Sequence, residues 1–285
     1  MNDMRSSPPV RAAVVIASLT VGLFLIPYIA DAETLRCTFV DKDGAMLKDV
    51  ETRLTRLDVS GKNAGDPRYR ESDEVGVIEF RNLAPGSYRF EAQLKTFVSM
   101  ERTLQLQDET DLKQVLLRKK EFDQLNKEAK RALETGDYQA AIDRLEVLVT
   151  SLSNLAVLRA NLARAYAGRL DQQKALAAAD VAAALDANQF SNLRQELQKL
   201  MLPDLGQEAM YDMDFATASA HYEALRDLDP EGPLAYRGLA LSYGHLGRFK
   251  EALEAVNRAI ELDPSDTQLV LIKDTLENNA AVSRK

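Results

Sequence analysis

The chain has 285 residues, with 36 Lys and Arg against 44 Asp and Glu and a net charge of -8. This acidity excludes a polybasic nucleic-acid-binding role. A composition of 46% hydrophobic and 28% charged residues excludes an intrinsically disordered chain and a polytopic membrane protein. One Cys excludes an intramolecular disulfide framework, and two His exclude a histidine-rich metal centre. We therefore expect a folded chain of roughly two domains that uses no metal or cofactor.

Residues 1–32 have the pattern of a targeting segment. Arg5 and Arg11 precede an uncharged stretch, 12–30, and small residues at Ala30 and Ala32 follow it. This order is typical of a signal peptide, so we expect cleavage before Glu33 and export to a bacterial periplasm or cell envelope. The alternative is an uncleaved helix that anchors the chain in the membrane, because 19 apolar residues are near the minimum for a span.

Residues 33–118 are predicted to be all-β. Apolar residues recur there with period two, and turn residues interrupt them at short intervals, as in antiparallel strands. Leu35, Cys37 and Phe39 fall on one side of the first strand, which predicts a buried, unreactive thiol. Asp43 and Gly44 suit a tight hairpin turn, and the ligands needed to make this turn a calcium loop are missing.

The stretch 76–88, GVIEFRNLAPGSY, resembles the hairpin of carboxypeptidase regulatory-like domains. The resemblance covers about 85 residues and implies a transthyretin-like sandwich that serves as a folding or spacer module. Some relatives bind starch-like glycans through exposed aromatic side chains. Here Tyr69 and Phe97 are the candidates for such a platform, and we expect Phe97 to pack in the core instead.

Residues 119–285 are predicted to be all-α, because apolar spacing changes to three and four after Lys119 and Lys120. One pattern recurs, with a tight turn, an aromatic residue after it and an Ala three positions later. This pattern resembles the tetratricopeptide repeat, a 34-residue helix-turn-helix unit. The resemblance implies four repeats, an insert at 190–198, a proline at position 203 within the third repeat's first helix, and a capping helix; the repeats are 122–155, 156–189, 199–232 and 233–266, and the cap is 267–281.

The resemblance further implies a superhelix with a continuous core and a groove that binds extended peptides or helices of other proteins. In the family register the groove-facing candidates are Asn126, Lys130, Asn161, Arg164, Tyr211, Arg237 and His245. Three of them, Asn126, Lys130 and Asn161, are similar to the carboxylate clamp of some tetratricopeptide proteins. The departures are that the amide and the lysine stand in reversed order and that the basic pair of the third repeat is missing. We therefore favour a solvated helix face over a true clamp.

The sequence contains no HExxH, GxSxG, GxGxxG or P-loop pattern, and His221 and His245 are too isolated to bind a metal. We expect a multidomain, non-enzymatic chain: a transthyretin-like all-β sandwich, then an all-α tetratricopeptide superhelix joined to it at Lys119 and Lys120. The leading hypothesis is an exported adaptor that binds protein partners through its groove. The alternative is a glycan-binding accessory protein whose sandwich holds polysaccharide while the repeats recruit other proteins.

Overall fold

The computed structural model describes residues 33–106 and 110–282, and the predicted targeting segment lies outside them. The strands are β1 (Glu33–Val40), β2 (Glu51–Arg56), β3 (Arg68–Glu71), β4 (Val77–Leu83), β5 (Gly86–Gln93), β6 (Met100–Leu106) and β7 (Thr110–Val115). The helices are α1 (Lys119–Glu134), α2 (Tyr138–Ser151), α3 (Ala156–Gly168), α4 (Gln172–Leu185), α5 (Ala187–Phe190), α6 (Leu193–Tyr211), α7 (Phe215–Leu228), α8 (Pro233–His245), α9 (Phe249–Leu262) and α10 (Thr267–Val282). An all-β part is thus followed by an all-α part, which confirms the predicted fold class. Within the described ranges, no helix combines the length and apolarity needed to cross a bilayer.

The β part is a sandwich of two sheets with strand orders β4-β1-β7 and β3-β2-β5-β6. The alternating apolar residues of each strand meet between the sheets, where the rings of Phe39 and Phe90 stack with centroids 6.2 Å apart. Cys37 is fully buried there, as predicted, and burial raises its pKa to about 12, which keeps the thiol protonated at neutral pH. The prediction of antiparallel strands is wrong at one place, because β1 and β7 pair in parallel.

The predicted hairpin at 76–88 is a crossing between the sheets. β4 pairs with β1 in one sheet and β5 pairs with β2 and β6 in the other, so the two strands are not partners. The chain changes sheet at Ala84 and Pro85, where the Tyr88 hydroxyl donates a 2.7 Å hydrogen bond to the Ala84 carbonyl. Period-two alternation fixes which face of a strand is buried, but it does not say which strand lies beside it.

The tight turn after β1 forms as predicted, but it does not connect two paired strands of one sheet. The Asp41 carboxylate accepts hydrogen bonds from the backbone N–H groups of Asp43 and Ala45 at 3.0 and 2.9 Å. Gly44 has φ +86°, a value that favours glycine. The turn closes only an isolated bridge between Val40 and Met46, after which the chain joins the second sheet as β2.

Four helix pairs, α1/α2, α3/α4, α6/α7 and α8/α9, form the helical array, and α10 packs on the last pair. The turn inside each pair has one residue in the left-handed region, at Gly136, Leu170, Met213 and Gly247. In the first three pairs an Asp follows that residue and accepts a hydrogen bond from a backbone N–H in the first turn of the second helix. The turn without glycine at Leu170 therefore keeps the geometry of the others.

The insert between the second and third pairs is largely helical. α5 ends at Phe190 and α6 starts at Leu193, so α6 runs for 19 residues and contains Pro203 as predicted. The buried core divides inside α6, with one cluster that includes Met201 and a second that begins at Leu202. This differs from the continuous core that we expected.

The two parts of the chain share a core at their junction. Lys119 and Lys120, where the two parts were expected to join, belong to the first turn of α1. The Val98 N–H donates to the Leu117 carbonyl at 2.8 Å, and the buried Gln114 amide donates to the Ser151 carbonyl at 3.3 Å. The buried cluster that fills the sandwich also continues into α1, α2 and α3. The junction is therefore packed and hydrogen-bonded.

Candidate functional site

The first helices of the four pairs carry a common row of side chains. Residues spaced three, seven and eleven positions apart lie on one face of a helix. We call the resulting surface the first-helix face; it comprises Asp123, Asn126, Lys130 and Glu134 on α1, Val157, Ala160, Arg164 and Gly168 on α3, Leu200, Pro203, Gln207 and Tyr211 on α6, and Leu234, Arg237, Leu241 and His245 on α8. Six of the seven sequence-predicted groove residues belong to it, and Asn161 does not.

Asn126 and Lys130 line a pocket of about 430 Å³ between α1 and the start of α3. The opposite wall is formed by residues 154–158, where Leu155 is the N-cap residue and provides no side-chain cap. Asp186 closes the far side. Among the described residues, no carboxylate lies within ion-pair distance of Lys130. This groove pocket therefore presents the Lys130 ammonium, the Asn126 amide and the Asp186 carboxylate to a ligand, next to the N-terminus of α3.

Asn161 and Arg164 lie further along α3 and outside the groove pocket. The Arg164 guanidinium donates a 3.2 Å hydrogen bond to the Asn161 side-chain oxygen, so the two side chains are bonded to each other. Asn154, from the turn before α3, lines the groove pocket, whereas Asn161 does not. The three residues considered for a carboxylate clamp, Asn126, Lys130 and Asn161, are thus not gathered in one pocket.

The remaining candidates lie at two other places. Arg237 donates to the Gln268 side chain at 2.8 Å and is 3.5 Å from the Asp266 carboxylate, so it ties α8 to the start of α10. His245 stacks on the Phe215 ring with centroids 4.3 Å apart. Tyr211 ends α6 with its ring 76% exposed. The polar candidates are therefore spread along the array. Five of them contact another side chain of the protein: Asn161, Arg164, Tyr211, Arg237 and His245.

Sequence reasoning missed an apolar row on the first-helix face. Val157, Leu200 and Leu234 are 48, 62 and 51% exposed and occupy equivalent positions on α3, α6 and α8. Each lies 14 positions before the N-cap position of the following helix, and this regular spacing could have identified them. Three large apolar side chains are thus exposed at equivalent positions of three first helices, and α1 carries Asp123 at the equivalent position.

A second, larger cavity lies at the domain junction. It measures about 570 Å³ and is bounded by the four-stranded sheet and by the α2–α3 turn. The sheet side carries Tyr69, which is 62% exposed, whereas Phe97 is buried as expected. The turn side consists of Leu152, Asn154 and Leu155, and the last two also line the groove pocket. The junction cavity and the groove pocket therefore adjoin.

The polar lining of the junction cavity comes from the outer face of the sheet. Thr52 and Ala92 also border the cavity, but they are buried between the sheets, so their neighbours Arg53 and Glu91 point outward. Tyr69, Arg53, Glu91 and Glu101 are successive cross-strand partners. Glu51 and Gln93 form the next row, joined by a 2.6 Å hydrogen bond. Three carboxylates and one guanidinium thus face the cavity.

No group of three or more His, Cys, Asp and Glu suited to a metal ion occurs in the part of the chain that the structure describes. The two cavities present hydrogen-bonding, charged and apolar side chains.

Comparison with known proteins supports the helical assignment. Residues 204–267 match the family model described as tetratricopeptide repeat. No curated protein matches the chain in sequence. Among solved structures, MamA 41-end from Desulfovibrio magneticus RS-1 is 18% identical with a TM-score of 0.36, and the alignment covers 57% of this chain and 89% of that one.

Two other solved structures are similar over smaller parts. The 3-chlorocatechol 1,2-dioxygenase from Rhodococcus opacus 1CP is 15% identical with a TM-score of 0.27, covering 31% of this chain and 60% of that one. The streptococcal ancillary pilin is 20% identical with a TM-score of 0.25, covering 30% of this chain and 32% of that one. The chain thus spans less than two thirds of each of these two proteins. The family match thus covers the α7–α9 region and the end of α6, and the other helices of the α part form antiparallel pairs of the same kind.

Proposed function

We propose that this protein is a non-enzymatic adaptor that binds a protein partner along its first-helix face. The observation that carries the proposal is the exposed row of Val157, Leu200 and Leu234 beside the groove pocket. Apolar anchors with polar groups between them are what an extended segment or an amphipathic helix of a partner needs.

The electrostatics of the face support a partner segment that also carries an acidic group. Lys130 and Arg164 have no carboxylate partner among the described residues. They occupy equivalent positions on α1 and α3, the first helices of two successive pairs. The α3 amides at the wall of the groove pocket add a partial positive charge. A carboxylate of the partner would therefore be stabilised beside Lys130.

The test is affinity capture from cell-envelope extracts with the full chain. The variant combines Asn126→Ala, Lys130→Ala and Leu200→Asp, all at sites that are not fully buried. Its matched control is Lys250→Ala on α9, which removes one exposed lysine from the opposite helix of a pair. Loss of a specific protein from the triple variant, with retention by the control, is the expected result. An unchanged set of captured proteins would refute the role of the first-helix face.

The location of this function belongs to the same proposal. The composition of residues 1–32 supports export to the cell envelope, with cleavage before Glu33 and an anchored form as the alternative. N-terminal sequencing of the chain recovered from a fractionated native host tests it. A sequence beginning at Glu33 is expected, and an intact Met1 in a cytoplasmic fraction would contradict export.

The second candidate function is a glycan-binding accessory role through the sandwich. The observation that favours it is the exposed Tyr69 ring at the edge of the junction cavity, since aromatic faces stack on sugars. Retention of the full chain on insoluble polysaccharide, abolished by Tyr69→Ala, would support it. Passage of the wild-type chain without retention would reject it.

A further inference from the structure

The junction cavity shares a wall with the groove pocket. Asn154 and Leu155 line both, so a segment that leaves the groove pocket over the α2–α3 turn arrives at the outer face of the four-stranded sheet. The cavity volume of about 570 Å³ is ample for a side chain and its backbone. The sandwich is thus placed to take part in recognition rather than to act as a spacer.

The carboxylates of the junction cavity differ in their partners. Glu91 lies 3.5 Å from the Arg53 guanidinium, and Glu101 lies 3.3 Å from that of Arg89. The Glu51 carboxylate accepts a hydrogen bond from Gln93, and no cationic side chain of residues 33–106 or 110–282 pairs with it. One carboxylate of the cavity therefore lacks a counter-charge.

An aromatic ring and apolar side chains complete the lining. Tyr69 presents its ring one strand away from Glu51, and Val98 and Leu155 lie on the other walls. A carboxylate, an aromatic face and an apolar wall are together the environment of a lysine or arginine side chain, whose stem is apolar and whose head is charged.

We propose that the junction cavity receives a lysine or arginine side chain of the same partner segment that the first-helix face binds, with its charged head at Glu51 and beside Tyr69. This inference rests on the proposed function. A neutral glycan could donate hydroxyl hydrogen bonds to the exposed Glu51 carboxylate, but it would form no ion pair with it. The net charge of -8 also attracts a basic segment at long range.

The walls of the cavity are held in place before any ligand arrives. Gln114 bonds the end of α2, and the Lys119 N–H donates to the Thr96 carbonyl at 3.0 Å. The shared buried cluster runs beneath both walls. A preformed site of this kind loses little entropy on binding, so a single charge in it contributes measurably to affinity.

The test selects ligands from a random library, so the natural partner need not be identified first. Random peptides of about 12 residues, which extend to roughly 40 Å and so reach across both cavities, are displayed on phage and selected on the full chain. Enriched peptides are synthesised with a fluorescent label and titrated by anisotropy. Each is compared with a copy in which its basic residue is replaced by norleucine, which keeps the stem and removes the charge.

The variants separate the junction cavity from the first-helix face. Glu51→Gln removes the unpaired carboxylate, and Glu71→Gln is its matched control, because Glu71 is the exposed cross-strand partner of Glu51 and lies outside the cavity lining. Leu200→Asp disables the first-helix face. We expect enrichment of Lys or Arg and a loss of about tenfold in affinity for Glu51→Gln, with no loss for Glu71→Gln. The norleucine peptide should bind the wild type and the Glu51→Gln variant with equal affinity.

Every other outcome counts against the inference. Binding lost in Leu200→Asp but unchanged in Glu51→Gln would overturn the junction site and leave the proposed function standing. Peptides insensitive to both variants, or no enriched peptides, would overturn both. Displacement of the peptide by maltohexaose, abolished in Tyr69→Ala, would assign the cavity to a glycan instead.

Discussion

The packing of the third and fourth helix pairs depends on a glycine that cannot be enlarged. The ring of Tyr222 on α7 lies between Gly206 on α6 and Gly238 on α8. A Cβ at Gly238 would lie 2.4 Å from the nearest ring atoms of Tyr222, and one at Gly206 would lie 2.7 Å away. Because ordinary carbon contacts are about 3.5 to 4.0 Å, the ring would have to move by about 1 Å. It cannot move away from Gly238 without pressing on α6.

The magnitude follows from two opposing terms. Replacing a helical glycine by alanine contributes about 1 kcal/mol of helix propensity. Overpacking a buried site costs about 1 to 3 kcal/mol, and the blocked ring places Gly238→Ala at the upper end. We therefore expect Gly238→Ala to lower the free energy of unfolding by about 2 kcal/mol. Gly244→Ala, in the same helix, meets only the flexible tip of Leu276 and should be neutral or stabilising by about 1 kcal/mol.

Urea denaturation followed by circular dichroism measures both variants against the wild type. A double variant with Tyr222→Leu supplies the check, because removing the ring should abolish the cost of Gly238→Ala. If Gly238→Ala proves as stable as Gly244→Ala, the tight contact at Tyr222 does not exist in solution and the argument fails.

Three further predictions concern stability. Burial and the Glu146 carboxylate raise the pKa of Tyr166 to about 12 from 10.0, so the contribution of Tyr166 to the free energy of unfolding is complete below pH 10 and is lost as the pH rises to about 12. The midpoint of urea denaturation should therefore fall less between pH 10 and pH 12 in Tyr166→Phe than in the wild type, and an equal fall in both would contradict this. Asp171 accepts from the Lys174 N–H at 3.2 Å, so Asp171→Ala should cost about 1 kcal/mol in thermal unfolding, against no change for exposed Gln173→Ala. Leu239→Ala, in the second buried cluster, should lower the free energy of unfolding by about 2 to 5 kcal/mol. It should also raise the rate of amide hydrogen exchange more in α7 to α10 than in the strands, whereas an equal rise in both would show that the two clusters unfold together.

Local patterns predicted the elements of this chain, and contacts between distant residues were beyond them. Pro203 inside α6 and the inward-facing Cys37 follow from periodicity and side-chain chemistry alone. The parallel pairing of β1 with β7 does not follow from these local features, because it joins residues about 75 positions apart in the sequence. The alternation of apolar residues within each strand does not indicate which other strand it pairs with.

The binding surface shows the same limit. The family register put Asn126 and Lys130 on one face of α1, and both line one pocket, since both positions follow from the helix period. Glu51 and Asn154 come from different domains, and only the packed junction brings them to one cavity. The exposed positions Val157, Leu200 and Leu234 could have been predicted from the sequence, because they recur at a fixed distance before the second helix of each pair. The sequence prediction of the groove considered mainly polar residues and therefore did not include them.

The most direct test of the account is site-specific photocrosslinking in the native host. A photoreactive amino acid replaces Leu200 on the first-helix face or, as a control, Val181, which is similarly apolar and 40% exposed on α4. The account predicts one dominant protein adduct from position 200, absent from position 181 and diminished by Asn126→Ala with Lys130→Ala. Equal adducts from both positions, or an adduct from position 181 alone, would contradict the assignment of the first-helix face as the binding surface.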